Sequence, residues 1–271
     1  MGYGIAIDQI GEVDLYRFGR SKQIFRGPRP NLKRAYVAFI GGSEPFGKFV
    51  STPFPKIVQK YIHIPCVNWG TPSAGPGFFL KDPVLLEACS NAEACVVQAM
   101  DPVALSNRMY SVFPRRNTRL RGVSESLRAL FPDVEFDDYK YVPALMRKLQ
   151  ATDEAAYRMV VAEQKSAWVA RMLELLEDIE TKKVLLWLDM TGSGRKGGLV
   201  SEEMVDVLHG RVDRVVRVPI AVKRGKVTGF SGARDSAWMT RGVHAQVAAA
   251  VSEALRELLL DAQAQALSGG K

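Results

Sequence analysis

An α/β fold with a mainly parallel sheet covered by helices on both faces is predicted by three observations. Short apolar runs stop at glycine or at an acid: Ala35 to Ile40 before Gly41-Gly42, Ala94 to Met100 before Asp101, and Lys183 to Asp189. Strands buried on both faces read in this way, as near-continuous apolar runs. Stretches of helical character separate them, and alternating strands and helices are the pattern of a parallel sheet with helical layers on both sides.

Taken in order, residues 1–34 read as an irregular lead-in arm. Phe25 to Pro30 (FRGPRP) is too rich in proline and glycine for a helix or a central strand. Residues 35–271 read as a single α/β domain with a helical insertion around 142–180. The first strand runs into a Gly-Gly turn, followed by a helix over Pro53 to Ile62. Ile62 to Asn68 is a second strand, ending in the turn sequence NWGTPSAGPG. Asp82 and Pro83 are start signals for a helix that reaches Glu93. A third strand over Ala94 to Met100 precedes a basic segment, Tyr110 to Gly122, and Val134 to Phe136 reads as an edge strand. Trp168, Met172, Leu175, Leu176 and Ile179 form one apolar stripe on a helix, and Asp153 can cap a new helix after Thr152. Glu202 to His209 reads as a short helix, Val212 to Val218 as the last strand, and Met239 to Leu260 as an amphipathic helix.

Bulk properties narrow the classes. Apolar residues at 47% and charged residues at 24% are ordinary for a soluble globular protein. No apolar run approaches the roughly 18 residues of a membrane span, and the first residues carry early acids without an apolar signal core. Three cysteines without a CxxC pair argue against a metal cluster and for free thiols in a reducing cytoplasm. The net charge of +8 suits an anionic partner without saying which kind. The basic segment with Arg115 and Arg116 reads first as a solvated turn and second as an overhang that attracts an anionic substrate. Single-stranded nucleic acid is the less favoured partner, and a homo-oligomer through the long helical region is compatible with its stripe.

Ser43 stands where a strand ends in two glycines, the place at which open α/β sheets hold ligands. Three chemistries fit in part. A phosphate loop needs G-x-x-x-x-G-K-[ST], and Gly42 to Lys48 supplies all but the last position, which is Phe49. Asp189, closing an apolar strand, is similar to the acid that partners such loops. A G-x-S-x-G elbow fails because residue 45 is proline. The third is a serine in a GDS-type block.

Gly41 to Gly47 (GGSEPFG) resembles the first block of the SGNH hydrolases, with Gly42 where aspartate is usual. Asn68-Trp69-Gly70 resembles their second block, and Val243-His244 before the last helix resembles the fifth. The resemblance implies an SGNH-hydrolase-like, flavodoxin-like three-layer α/β/α fold. It implies Ser43 as nucleophile, His244 as its base and the Gly70 N–H as oxyanion donor, with Gly42 and Asn68 beside them. Two departures stand against it. The third block, Gly-x-Asn-Asp, is replaced by Asp101-Pro102-Val103-Ala104, leaving Asn107 as a substitute donor. The fifth-block aspartate is Arg241, leaving Asp235 as a substitute acid. Separately, IFRGPRPNLKRAYVAFIGGSEPFGKFV and SNRMYSVFPRRN resemble a bacterial family of unknown function.

The expected activity is a serine esterase, deacetylase or acyltransferase on an acylated polar small molecule or carbohydrate, with no cofactor and no metal. The alternatives are a degenerate SGNH-like protein that binds a glycan or an anion, and a phosphate-loop transferase using a nucleotide or sulfonucleotide.

Overall fold

The computed structural model describes residues 14–268 apart from 22, 49, 104, 114–115, 191–199 and 221–238; the side chains of 116, 117 and 262–268 also lie outside the description. Five strands form the central sheet: β3 (Val37–Ile40), β4 (Cys66–Asn68), β5 (Ala94–Gln98), β8 (Lys183–Asp189) and β9 (Arg214–Pro219). Their order is β4-β3-β5-β8-β9, and every neighbouring pair is parallel. This is the flavodoxin-like order, with the chain leaving β3 first to one side and then to the other.

The two sheet faces carry separate cores, which makes the fold three-layered. One face sends Val37, Phe39, Val96, Val184 and Leu186 against α2 (Phe54–Ile62) and α9 (Arg241–Ser268). The other sends Ala38, Ile40, Cys95, Val97 and Leu185 against α3 (Pro76–Phe79), α4 (Pro83–Ser90) and α7 (Glu154–Glu177). The predicted stripe on α7 lies in this second core, with Trp168, Met172 and Leu175 fully buried. Asp153 accepts the N–H groups of Ala155 and Ala156, so α6 (Val142–Thr152) stops and α7 starts where a capping aspartate dictates. Asp82 does the same for α4 by accepting from Leu85 N.

Three stretches differ from expectation. The lead-in contains an antiparallel hairpin, β1 (Leu15–Arg17) with β2 (Ile24–Arg26). Its strands are three residues each and are fixed by tertiary contacts: Phe25 is fully buried and Phe18 packs on Trp69 with ring centroids 5.1 Å apart. The basic segment is a two-stranded ribbon, β6 (Tyr110–Phe113) with β7 (Arg116–Val123). With α5 (Glu125–Leu130) and α6 it encloses a third core around Tyr110, Leu127, Phe131 and Leu145. Phe136 to Asp138 is a single 3-10 turn, not an edge strand. No helix among the described residues is long and apolar enough to cross a membrane.

Candidate functional site

β3 ends at Ile40, and the chain turns through Gly41 and Gly42 into α1 (Ser43–Phe46). The neighbours on either side of β3 are reached by connections that run in opposite directions, so a crevice is expected at its carboxyl end. A cavity of about 160 Å³ opens there, between the tips of β3 and β5. Its polar lining includes Ser43, Glu44, Ser73, Gln98, Asp101 and Thr118, and its apolar lining includes Val103, Pro143 and Leu188.

Gln98, the last residue of β5, organises this lining. Its amide oxygen accepts the Gly42 N–H at 2.8 Å, and its amide nitrogen donates to Glu44 Oε2 at 2.8 Å. The amide is buried and satisfied on both sides, which rigidifies the turn that presents Ser43. A Cβ on Gly41 would lie 2.5 Å from Gln98 Oε1, so the close approach requires glycine. Ser43 Oγ in turn accepts the Ser73 N–H at 3.2 Å. The charged groups among the described lining residues are both carboxylates, Glu44 and Asp101. Among the described residues Lys48 is not in the lining, and the Gly42 N–H, one of the donors a phosphate loop would offer, is already taken by Gln98. Asp189 is paired with Arg217 through contacts of 2.8 and 3.0 Å, and that guanidinium stacks 4.4 Å from the Trp187 ring.

The residues of the second block are engaged with each other. The Gly70 N–H donates to Asn68 Oδ1 at 2.9 Å, and Asn68 Nδ2 donates to the Pro45 carbonyl at 2.6 Å. Together they brace the back of α1, and neither lines the cavity. Asn107 closes its own turn: its Oδ1 accepts from Met109 N and Tyr110 N, and its Nδ2 faces the Leu105 carbonyl.

His244 lies in the first turn of α9 and is 2% exposed. Its Nδ1 accepts the Phe54 N–H at 3.1 Å, and its ring stacks on the Phe54 ring at 5.9 Å. A neutral imidazole that accepts at Nδ1 carries its proton on Nε2. Burial lowers its pKa to about 4, with the Arg26 charge pushing the same way. It does not line the cavity that holds Ser43. His63, in left-handed conformation just after α2, and His209, 3.7 Å from Asp206, do not line it either. Asp235 and Arg115 fall outside the described residues, and of Arg116 only the backbone, in β7, is described.

A family model described as a domain of unknown function (DUF6473) matches residues 1–259. The chain belongs to that family. No curated protein matches it. Among solved structures, a protein assigned to the lipolytic G-D-S-L family from Desulfitobacterium hafniense DCB-2 is similar over 81% of this chain and 99% of its own, at 12% identity and a TM-score of 0.36. The lipase Lip_vut3 from a goat rumen metagenome is similar over 66% of this chain and 72% of its own, at 9% identity and a TM-score of 0.33. The fold of this member of the family is therefore read from its own sheet order.

Two residues important to the site have no motif around them. Gln98 was legible only as the one polar residue at the end of an apolar strand, ACVVQ. Inside FRGPRP, Arg26 reads with Arg29 as a solvated arginine or an anion clamp, not as a structural anchor. Its guanidinium donates to four carbonyls, those of Phe46, Gly47, Val50 and Ser51, at 2.5 to 3.0 Å. It thereby holds the segment that follows the Ser43 turn.

Proposed function

We propose that this protein binds a small, hydroxyl-rich ligand, such as a sugar presents, in the crevice above β3 and β5. In this reading it lacks the serine–histidine chemistry of the hydrolases its blocks resemble. One observation carries it: the imidazole expected to serve Ser43 is occupied by the Phe54 N–H, while Ser43 keeps its place in a polar cavity. A base for serine must offer an unprotonated nitrogen within hydrogen-bond reach of the hydroxyl. The only lone pair on this neutral ring is already used. Hydroxyl, amide and carboxylate groups converge in the lining, and these pair well with ligand hydroxyls.

Thermal shift with neutral and acidic mono- and oligosaccharides tests the reading, together with a fluorophosphonate probe. The expected result is stabilisation by a sugar, lost in Gln98→Ala, with no labelling of Ser43. Covalent labelling that disappears in Ser43→Ala overturns it.

A second reading has its own support. The Ser73 N–H on Ser43 Oγ leaves the hydroxyl proton to be given to another acceptor, and Glu44 is the adjacent residue. An esterase, deacetylase or acyltransferase with a carboxylate base would use that arrangement, and the same probe separates the two.

A further inference from the structure

One described stretch near the start of the chain is strongly basic. Residues 14–35 contain seven basic residues (Arg17, Arg20, Lys22, Arg26, Arg29, Lys33, Arg34) and one acid, Asp14, a local net charge of 7 − 1 = +6. Arg26 is turned inward onto the four carbonyls, but Arg17, Arg20, Arg29, Lys33 and Arg34 are exposed. None of these five forms an ion pair with a described carboxylate.

The same arm exposes aliphatic side chains. Leu15 and Ile24 are 43% and 44% exposed, among the most exposed large apolar residues described. In the hairpin register Leu15 faces Arg26 and Arg17 faces Ile24, so these four side chains share one face, on which Arg26 reaches back to the body while Leu15, Arg17 and Ile24 are exposed. The inward face carries Tyr16 and Phe25, with ring centroids 6.0 Å apart. The hairpin is fixed to the body by Phe18 on Trp69 and by the Ser21 hydroxyl donating to Asp82 Oδ2 at 2.5 Å. The hairpin thus presents two aliphatic side chains among exposed basic residues that pair with no described carboxylate.

We propose that this hairpin docks the protein on an anionic phospholipid surface, as a peripheral contact. Basic side chains near such a surface each contribute attraction, and aliphatic ones enter the headgroup boundary. Nucleic acid fits less well, because single strands are held by exposed aromatic faces, and on this hairpin the aromatic rings are turned inward.

Flotation of the full chain with vesicles of equimolar phosphatidylcholine and phosphatidylglycerol tests the proposal, with phosphatidylcholine vesicles as the control. Recovery with the anionic vesicles and not with the control is expected, and it falls as salt is raised. Each basic residue neutralised lowers partitioning about fivefold, so Arg17→Gln/Arg20→Gln/Lys33→Gln together lower it about 100-fold. Leu15→Asn/Ile24→Asn lowers it about tenfold at unchanged charge. These positions are exposed, and unchanged thermal melting verifies that the variants fold. Equal recovery with both vesicle types, or undiminished binding by the triple variant, overturns the proposal. Retention of a single-stranded oligonucleotide without vesicle binding, abolished by the same changes, also overturns it.

Discussion

Nδ1 of His244 accepts the backbone N–H of Phe54 at 3.1 Å, joining the first turn of α9 to the first turn of α2 across 190 residues of sequence. α2 needs such a partner. Its N-cap is Pro53, which offers no side-chain acceptor, so the Phe54 N–H at the start of the helix has no local cap. Truncating the imidazole leaves a buried donor unpaired and opens space between two packed helices. His244→Ala is expected to lower stability by about 2–4 kcal/mol, read from urea unfolding. His244→Asn, whose Oδ1 stands near the position of Nδ1, should recover part of that loss. Equal losses in the two variants would mean that ring packing, and not the cap, is what matters.

The same contact sets a pH dependence. The imidazole is held neutral, with its pKa lowered to about 4 by burial and then by the Arg26 charge. In the unfolded chain it titrates near its ordinary value of about 6.5, so between these limits the unfolded state binds more protons. Stability is therefore complete above about pH 6.5 and falls as the pH drops towards 4, by up to about 3 kcal/mol from this group. Urea midpoints measured across that window should fall in the wild type and flatten in His244→Asn. Parallel curves for the two proteins would refute the assignment.

Arg26 converts a proline-rich arm into part of the site's frame. Four carbonyls between Phe46 and Ser51 converge on one guanidinium. A lysine has three donors at a single point and cannot reach them all. Arg26→Lys is expected to cost about 1–2 kcal/mol and Arg26→Ala about 2–4 kcal/mol. Hydrogen exchange should localise the change: the amides of Gly47 and Val50 lose protection ahead of those in β3. Uniform loss of protection would show only global destabilisation.

The strand framework was legible because burial on both faces leaves an unmistakable pattern in Val37–Ile40, Ala94–Gln98 and Lys183–Asp189. Asp82 and Asp153 were legible as caps because capping chemistry is local in sequence. Ser43 was legible as a strand-tip residue for the same reason. The block pattern points to His244 as a base, but it records sequence order and not which atom meets a ring nitrogen. Its partner, Phe54 N, is a backbone group and leaves no trace in residue identities. Gly70 and Asn68 show the same limit, since their bond to each other is a consequence of how tightly α1 packs over them. The hairpin of Leu15–Arg17 and Ile24–Arg26 was missed because three-residue strands have too little periodicity and are held by the distant Trp69.

Gly70 offers a test of how rigidly that tight packing holds Ser43. A Cβ there would lie 2.6 Å from the Phe46 nitrogen and 2.7 and 2.9 Å from the Pro45 ring carbons. Those atoms belong to the body of α1, so they cannot yield as a flexible side chain would. Gly70→Ala must push α1 away from the β4 turn, at a cost of about 1–3 kcal/mol, typical of overpacking. Because Ser43 begins α1, the shift also moves its oxygen relative to the Ser73 N–H and moves Glu44 relative to Gln98. The crevice should then lose its ligand response even where the protein stays folded. The measurement is a thermal-shift titration on Gly70→Ala beside Thr71→Ala, which alters the same turn without entering α1. A lowered melting temperature with an intact ligand-induced shift in Gly70→Ala would show that the lining tolerates displacement of α1. A lost shift in Gly70→Ala alone would tie recognition to the placement of Ser43 and Glu44.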